Sequence, residues 1–438
     1  MSNHPIPKTC IQKIPNQHIF LYQGFIELID GDKIIEGRGN VRLTWHPSPR
    51  ISIKFLYNRE TGDFDSDNQS FYLKLTEKLP QSRLNIQYNG GFFQGNRAEL
   101  HGYLIDPFIE GKTSELASVV FHIPNFYGSG GCTNQSFFDE HDNKIELEGW
   151  LDFEEQLIFD FHGWHIVLGA LDSCFDLNEL LRQQGGYALT HICKIEKLDE
   201  STFNLKEAYE LIEAFCYYLS LVRGLWLPPV LVFGFDANGD QLCEEWRTPI
   251  IRGDSWERSD LFFGFIDSLK IVSCFPEFLT KWQNPDWQGV IKLAIQWYIE
   301  SLKEATSYQT SLVLIQSALE QLSWVYLNNH DCLTGDNFKK IAAADQIRLF
   351  IKFLNIKILP FSENSELLKL SKELGWINTI YAAVEIRNLV IHPPLKNSNR
   401  KDKVTEKAMK EAVEVSRQHL RNALLELFKE QALESKSE

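Results

Sequence analysis

Hydrophobic and polar residues alternate along many short segments between residues 18 and 170. In "NVRLTWHP", Val41, Leu43 and Trp45 alternate with polar residues, and "RISIKFLY" continues the pattern. The pattern returns in "FYLKLTEKL", "RLNIQYNGGFF", "SVVFHIPNF" and "KIELEGWLDF", with clusters such as "NGG" and "YGSGG" interpreted as turns. Alternation with period two is typical of half-buried strands. Many short strands with turns between them favour an antiparallel sandwich or a barrel-like domain.

The period changes to that of a helix at about residues 203–223. Seven apolar residues recur there at helical spacing, and Gly224 can end the helix: Leu205, Ala208, Leu211, Ile212, Phe215, Leu219 and Val222. The strand-like segment "PVLVFGFDANGDQLCEEW" follows, with "ANGD" as a hairpin turn. Residues 1–285 are therefore predicted to be a β-rich antiparallel region with an inserted helix.

From residue 286 the helical period continues to the end of the chain. "WQGVIKLAIQWYIESLKEA", "SYQTSLVLIQSALEQLSWVYLNN" and "GDNFKKIAAADQIRLFIKFLNI" each predict one helix, and residues 362–392 predict one or two more. The last helix has the clearest apolar face: Met409, Ala412, Val413, Ser416, Leu420, Ala423, Leu424 and Leu427. Residues 286–438 are predicted to form a bundle of five or six helices. The fold class is α+β multidomain, with the β-rich region first and the all-α bundle second.

Length and charge limit the class of protein. A chain of 438 residues is long enough for two or three domains. It contains 44 Lys and Arg against 59 Asp and Glu, which gives a net charge of −15. Because non-specific nucleic-acid binding depends on Lys and Arg neutralising phosphates, this charge argues against it. Any contact with nucleic acid must be confined to a local patch.

The cysteines and the apolar segments favour a cytoplasmic protein. Eight cysteines are scattered without a CxxC pair, which predicts buried thiols rather than disulfides or a zinc site. The N-terminus lacks the apolar core of a signal peptide. The most apolar stretch, residues 217–235, contains Arg223 and two prolines, so no membrane span is predicted. We expect no cofactor and no metal.

The segment "EIRNLVIHPP" (residues 385–394) carries the candidate chemistry. On a helix Asn388 and His392 share a face, and Arg387 lies about 140° from His392. Pro393 and Pro394 should end the helix at His392, beside unpaired carbonyls where the helix dipole favours a protonated imidazole.

These residue types suit cleavage of RNA without a metal. A histidine can transfer the proton of a 2′-hydroxyl or of the leaving 5′-oxygen. The permanently charged guanidinium of Arg387 can stabilise the anionic phosphorane. Asn388 can orient the imidazole or bind a phosphate oxygen.

"RNLVIH" at the end of a helix in a C-terminal bundle resembles the R-x4-6-H motif of the HEPN superfamily, over about residues 286–432. The resemblance implies a metal-independent endoribonuclease in which Arg387 and His392 are catalytic and Asn388 is the polar residue after the arginine. It implies that Glu320, in "LIQSALEQLSWVY", is an acidic partner of the arginine. It also implies a homodimer with the active site at the subunit interface.

The combination of this bundle with a large β-rich region is similar to that of ApeA-type anti-phage defence proteins. This resemblance implies abortive infection through cleavage of cellular RNA, with tRNA as the expected substrate. The β-rich region would then bind a trigger that the sequence does not identify, because an unregulated ribonuclease would damage its own cell.

A basic segment begins four residues after His392. Residues 396–410, "KNSNRKDKVTEKAMK", contain six Lys and Arg against two acids, and four of the six are candidate RNA-binding residues: Lys396, Arg400, Lys401 and Lys403. A solvated loop followed by the start of a helix explains the same composition.

Other interpretations stay open. His392 and Arg387 are also consistent with an ordinary helix end, and a HEPN-like bundle can dimerise or bind without cleaving. In that alternative the protein is a non-catalytic interaction protein with a β-rich recognition domain. "FHGWH" places His162 and His165 on opposite faces of a strand, which disfavours a shared metal. "YNGGFFQGN" and "YGSGGCTN" are interpreted as hairpin turns rather than phosphate-binding loops.

Overall fold

Six antiparallel strands near the N-terminus close into a barrel in the computed structural model of the chain. The order around the barrel is β1-β2-β3-β6-β5-β4, and β4 pairs with β1 to close it. The strands are β1 (Ile19–Asp30), β2 (Lys33–Thr44), β3 (Arg50–Asn58), β4 (Ser70–Leu75), β5 (Arg83–Gln94) and β6 (Arg97–Leu104). Closure leaves the barrel without an unpaired edge strand. The predicted β-rich antiparallel region is confirmed, and it contains a barrel.

The structure does not describe every residue. The described residues are 10, 12–61, 64, 70–76, 78, 83–127, 137–138, 144–145, 156–249, 251–257, 262, 268–330, 341–392 and 403–429. Most of "YGSGGCTN" and "KIELEGWLDF" lies outside them, as do Cys132, Cys332 and the prolines after His392.

The barrel interior is filled by the alternating residues of its strands. In β3 every second side chain is buried: Ile51, Ile53, Phe55 and Tyr57. The sequence pattern had suggested that "NGG" is a turn, but in the structure it lies within a strand. Gly90 and Gly91 lie inside β5, where a register shift after Tyr88 marks a bulge, and the hairpin turn follows at residues 95–96. Gly90 has a φ of 138°, which a glycine adopts without strain.

A seven-stranded antiparallel sheet follows the barrel, in the order β11-β12-β13-β8-β14-β15-β7. Its strands are β7 (Phe108–Gly111), β8 (Ser118–Pro124), β11 (Gln156–Phe161), β12 (Trp164–Ala170), β13 (Leu189–Lys197), β14 (Val230–Phe235) and β15 (Gln241–Trp246). Two short strands, β9 (Phe137–Phe138) and β10 (Lys144–Ile145), pair with each other. The predicted "ANGD" turn joins β14 to β15.

Two helices accompany this sheet. Helix α2 (Leu205–Arg223) coincides with the predicted inserted helix, and all seven residues of its predicted apolar face are buried. Helix α1 (Cys174–Gln184) was not predicted. Only four of its eleven residues are buried, so the helical period extends over too short a stretch to be recognised.

Seven helices are described in the C-terminal part of the chain. They are α3 (Ser268–Gln283), α4 (Pro285–Leu302), α5 (Tyr308–Asn329), α6 (Ala343–Phe353), α7 (Glu366–Leu374), α8 (Thr379–Ile391) and α9 (Glu406–Leu427). Helix α5 packs against α4, α6, α8 and α9. All eight residues of the predicted apolar face of α9 are buried, which confirms that face. Inside the bundle, Nε2 of Gln316 donates to Oγ of Ser416 over 2.9 Å and links α5 to α9.

The chain divides into two compact units. One consists of Met1–Leu219 and Leu225–Arg258, and the other of Ser220–Gly224 and Ser259–Glu438. The division near residue 258 precedes the expected boundary at residue 285, because α3 belongs to the helical unit. No helix in the described part of the chain is both long enough and apolar enough to cross a membrane.

Candidate functional site

Helix α8 carries the segment with the candidate chemistry. It begins at the N-cap Asn378, whose side chain accepts a hydrogen bond from the backbone N–H of Tyr381 over 2.9 Å. Its N-terminal half is apolar and mostly buried, so the helix is anchored in the bundle. From Arg387 onward the side chains are half-buried or exposed. The packing therefore fixes the helix while leaving its last turn accessible.

Arg387 joins two polar neighbours. Its Nη2 forms an ion pair with Oε1 of Glu320 on α5, and its Nη1 donates to Oδ1 of Asn388 over 3.1 Å. The side chain of Arg387 is 14% exposed, and burial lowers its pKa below the ordinary value. Because arginine is the most basic of the side chains, Arg387 stays charged at neutral pH despite this shift. The structure thus brings together Arg387, Asn388 and Glu320.

His392 lies at the end of the same helix. Its backbone N–H donates to the Asn388 carbonyl over 2.8 Å, and its φ of −118° and ψ of 77° leave the helical region, as the following proline predicted. The imidazole is exposed. We refer to Glu320, Arg387, Asn388 and His392 together as the α8 site.

Helix α5 adds an aromatic residue that the sequence reasoning missed. Trp324 is four residues after Glu320, so the two side chains share a face of α5. The indole is 55% exposed, although the helix is otherwise packed on several sides. The signal was present in the sequence, because Trp324 falls outside the apolar face that the helical period predicts for this segment: Leu312, Ile315, Leu319, Leu322 and Tyr326.

The described part of the basic segment is balanced by acids. Lys396, Arg400 and Lys401 lie outside the described residues. Lys403 forms a 2.6 Å ion pair with Glu373, and Nζ of Lys410 is 3.8 Å from Oε1 of Glu414. Both lysines are exposed, so these pairs are weak and can exchange for phosphate contacts.

The histidine pair of "FHGWH" differs from its prediction. His162 is not on a strand but in the two-residue turn between β11 and β12, where His162 and Gly163 have φ values of 45° and 79°. His165 is on β12, and its Nδ1 is 2.5 Å from Oδ1 of Asp160 on β11. The error arose because the tight turn interrupts an otherwise strand-like run.

The described cysteines and acidic residues give no metal site. Five of the six cysteines in the described part of the chain are buried: Cys174, Cys193, Cys216, Cys243 and Cys274. No group of three or more His, Cys, Asp or Glu suited to hold a metal occurs among the residues that the structure describes.

Comparison with known proteins finds similarity in two parts of the chain. Residues 111–258 match the family model of the YopA central domain, and residues 284–431 match that of the YopA C-terminal domain. The chain is 21% identical over 375 residues to the "SPbeta prophage-derived uncharacterized protein YopA" of Bacillus subtilis (strain 168), which covers 82% of this chain and 80% of that protein. No solved structure matches the chain.

The first matched range covers the seven-stranded sheet from the end of β7, together with α1 and α2. The second begins just before α4 and ends after α9, so it contains the whole α8 site.

Proposed function

We propose that the C-terminal helices form a HEPN-like bundle that acts as a metal-independent endoribonuclease. One observation carries the proposal. Glu320 and Asn388 hold the guanidinium of Arg387 at the accessible end of α8, and the exposed imidazole of His392 ends the same helix. In the proposed site the held cation binds an oxygen of the phosphodiester, and the exposed imidazole transfers protons of the reacting RNA oxygens.

The roles follow from the chemistry of the side chains. His392 accepts the proton of the RNA 2′-hydroxyl as the 2′-oxygen attacks the phosphorus, the bond from phosphorus to the 5′-oxygen breaks, and a water molecule donates a proton to the leaving 5′-oxygen. The products are a 2′,3′-cyclic phosphate and a 5′-hydroxyl. Arg387 stabilises the negative charge that develops on the non-bridging oxygens. Glu320 acts as a positioning residue, because it orients the guanidinium without reaching the phosphate itself. Asn388 helps to fix the same guanidinium.

The proposal includes a homodimer. Arg387 and His392 are separated by about 140° around the axis of α8, so one copy directs them to different sides of the helix. A second copy facing the first can place its own arginine beside the first copy's histidine. The exposed side chain of Ile391, between them in sequence, gives such an interface apolar area.

Trp324 and the basic segment are the proposed RNA contacts. An exposed indole one turn from Glu320 can stack on an unpaired base near the reacting phosphate. Lys396, Arg400, Lys401 and Lys403 would attract the RNA backbone close to His392. Single-stranded loops, such as those of tRNA, offer both an unpaired base and an accessible phosphodiester.

The proposed biological role is anti-phage defence by cleavage of cellular RNA in the cytoplasm. The β-rich unit would bind the trigger that releases the activity. The name of the B. subtilis relative describes that protein as prophage-derived, which is compatible with a role in conflict between phages and their host.

The test is cleavage of total tRNA by the purified full chain in the presence of EDTA. We expect products that end in 2′,3′-cyclic phosphate, and we expect His392→Ala and Arg387→Ala to lower the rate by about 100-fold or more. His330→Ala is the matched control for the histidine, because His330 is also an exposed residue at a helix C-terminus. Arg348→Ala is the control for the arginine, because Arg348 also pairs with a carboxylate.

A ribonuclease that awaits its trigger can be silent in a purified sample, so toxicity on expression is the second readout. The proposal predicts toxicity that His392→Ala relieves and His330→Ala does not. Cleavage that survives both site substitutions contradicts it, as does a protein that neither cleaves RNA nor inhibits growth.

The alternative is a non-catalytic protein in which the bundle only dimerises or binds a partner. The observation that favours it is the half-buried ion pair of Arg387 with Glu320, which also serves as a structural link between α5 and α8. In that case Arg387→Ala would lower the stability of the helical unit and no variant would change the integrity of RNA.

A further inference from the structure

One side of the barrel carries aromatic and basic side chains on its outer surface. The buried apolar residues of β2 occupy odd positions, so Arg38 and Arg42 face outward. On β1, Phe25 is paired with Arg38 and Phe20 with Arg42. The pairing continues from Arg42 through Ser52 of β3 to β6. We define the barrel face as six outward-facing residues of these four strands: Phe20, Phe25, Arg38, Arg42, Arg50 and Tyr103.

The two phenylalanines of the barrel face are exposed to solvent. Their side chains are 57% exposed at Phe20 and 54% exposed at Phe25, although the barrel interior is filled by other residues. Both lie on β1, roughly 15 Å apart along the strand. Large apolar groups that cluster on a surface mark a site of interaction. Exposed aromatic rings on a sheet are the groups on which unpaired bases stack.

The arginines of the barrel face are held by rings and not by acids. The guanidinium carbon of Arg38 is 4.5 Å from the centroid of the Phe25 ring, and that of Arg50 is 5.5 Å from the centroid of the Tyr103 ring. None of the three arginines forms an ion pair with a carboxylate of the described residues: Arg38, Arg42 and Arg50. A guanidinium in this position keeps its charge available for a phosphate, and its plane can stack on a base.

Carboxylates border the barrel face without neutralising its arginines. Oε1 of Glu99 on β6 is 2.7 Å from Nζ of Lys54, and Oε2 of Glu27 on β1 is 2.9 Å from Nζ of Lys74. Glu36 on β2 is paired with Glu27, at the edge of the face. The barrel face is therefore a local basic surface on a chain whose net charge is −15, which makes it complementary to an anionic partner.

We propose that the barrel face binds a single strand of nucleic acid, with bases stacked on Phe20 and Phe25 and phosphates bound by the three arginines. Rings and cations on one surface fit this partner, because a single strand offers unpaired bases and phosphates together, whereas a duplex keeps its bases stacked inside. The site belongs to the β-rich unit, and it does not depend on the ribonuclease activity proposed for the α8 site.

The first test is fluorescence anisotropy of a labelled thymidine oligonucleotide of about 12 nucleotides with the full-length protein. DNA lacks the 2′-hydroxyl that the α8 site would use, so the probe stays intact whether or not the proposed ribonuclease activity exists. We expect micromolar binding at low salt and binding of a duplex of equal length that is at least about tenfold weaker. A uridine oligonucleotide, measured on His392→Ala, should bind through the same residues.

Substitutions on the barrel face separate stacking from charge. Phe20→Ala and Phe25→Ala should each weaken binding of the single strand by about fivefold or more, whereas Phe25→Tyr should retain the affinity. Arg38→Ala with Arg42→Ala removes two phosphate contacts. This change should lower the slope of log Kd against log salt concentration by about 1.4.

Matched controls lie on helices outside the barrel. Phe175→Ala removes an exposed aromatic ring, and Arg182→Ala with Arg348→Ala removes two arginines; neither change should alter binding. Lys407→Glu with Lys410→Glu tests the basic segment separately. Circular dichroism shows that each variant is folded.

Four results would each overturn the proposal. They are equal affinity for duplex and single strand, binding that is lost in the basic-segment variant but retained in the barrel-face variants, and equal losses in the matched controls. The fourth is the absence of binding to the folded wild type at about 100 µM protein in low salt. Binding of anionic lipid vesicles but not of oligonucleotides would assign the surface to a membrane and would contradict the proposal as well.

Discussion

His419 shows how one buried side chain makes the helical unit sensitive to pH. It is 1% exposed on α9, its Nδ1 is 2.9 Å from the Val415 carbonyl, and its Nε2 is 3.2 Å from the backbone nitrogen of Leu359. These contacts assign the neutral form with Nδ1–H donating and Nε2 accepting. Burial lowers the pKa of His419 to about 4. Protonation would place a buried charge there and remove the acceptor for Leu359.

The prediction is a loss of stability in mild acid. Between pH 6.5 and about 4 the unfolded chain binds a proton at residue 419 that the folded chain does not. The free energy of unfolding therefore falls as the pH is lowered, by about 1.4 kcal/mol per pH unit. Denaturant unfolding of the wild type and of His419→Gln, followed by circular dichroism, should show their difference in stability shrinking by about 2 kcal/mol from pH 7 to pH 5.

The exposed His330 provides the comparison. His330→Gln should retain the pH dependence of the wild type, because its imidazole is accessible to solvent in the folded protein. If His419→Gln retained that dependence as well, His419 would not be the titrating group.

Glu245 is a charged residue whose burial the sequence pattern indicates but whose contacts it does not. In "QLCEEW" Glu245 is in phase with the buried Cys243, so a charge on the inner face of the strand was visible in the sequence. The neighbours of that charge were not visible in the sequence, because Ile109, Tyr209 and Arg247 meet Glu245 only after the sheet and α2 are assembled.

At the scale of elements, the apolar period predicted α2, α4, α5 and α9 well, because each buries a continuous stripe against several neighbours. Side-chain caps add a sequence signal at the starts of α4, α5, α7, α8 and α9. Each cap accepts a hydrogen bond from a backbone N–H of the helix that it begins: Asn284, Ser307, Ser365, Asn378 and Thr405. Helix α1 escaped prediction because a short helix with few buried residues has a weak period.

Helix α5 gives the prediction at this scale. Its exposed Trp324 has no role in the core, so Trp324→Ala should leave the fold intact. If the indole stacks on a base, this change should lower kcat/KM for tRNA cleavage by about tenfold or more, mainly through KM, and Trp324→Phe should retain most of the activity. Steady-state kinetics with a fluorescent RNA substrate measures both constants.

Phe175→Ala is the matched control for the loss of an exposed aromatic side chain on a helix, because Phe175 is 44% exposed on α1 of the β-rich unit. Unchanged kinetics in Trp324→Ala would assign the exposed indole another purpose, such as contact with a second copy.

At the scale of the whole molecule, the net charge of −15 opposes the approach of RNA. If RNA is the substrate, as proposed, its binding depends on local cations near the α8 site. Lys407 and Lys410 are exposed at the start of α9 and belong to the basic segment that begins after His392. Reversing both charges, as Lys407→Glu with Lys410→Glu, should raise KM severalfold, leave kcat unchanged and reduce the dependence of KM on salt.

A change in total charge alone must be separated from this local effect. Lys13→Glu with Lys33→Glu alters the net charge equally in the β-rich unit, where both lysines are exposed. Equal effects of the two double substitutions would show that only the overall charge matters, and the basic segment would lose its proposed role.

The sequence by itself determined the order of the chain: a β-rich antiparallel part, then helices, with α2 inserted and "RNLVIH" at a helix end. These features depend on local periodicity, caps and prolines, which act over a few residues. The tertiary structure decided that the first six strands close into a barrel, that α3 joins the helical unit, and that Arg387 meets Glu320. It also brought outward-facing residues of four strands together on the barrel face. Each of these results requires residues far apart in the chain to pack together, and no local pattern encodes which distant partners will meet.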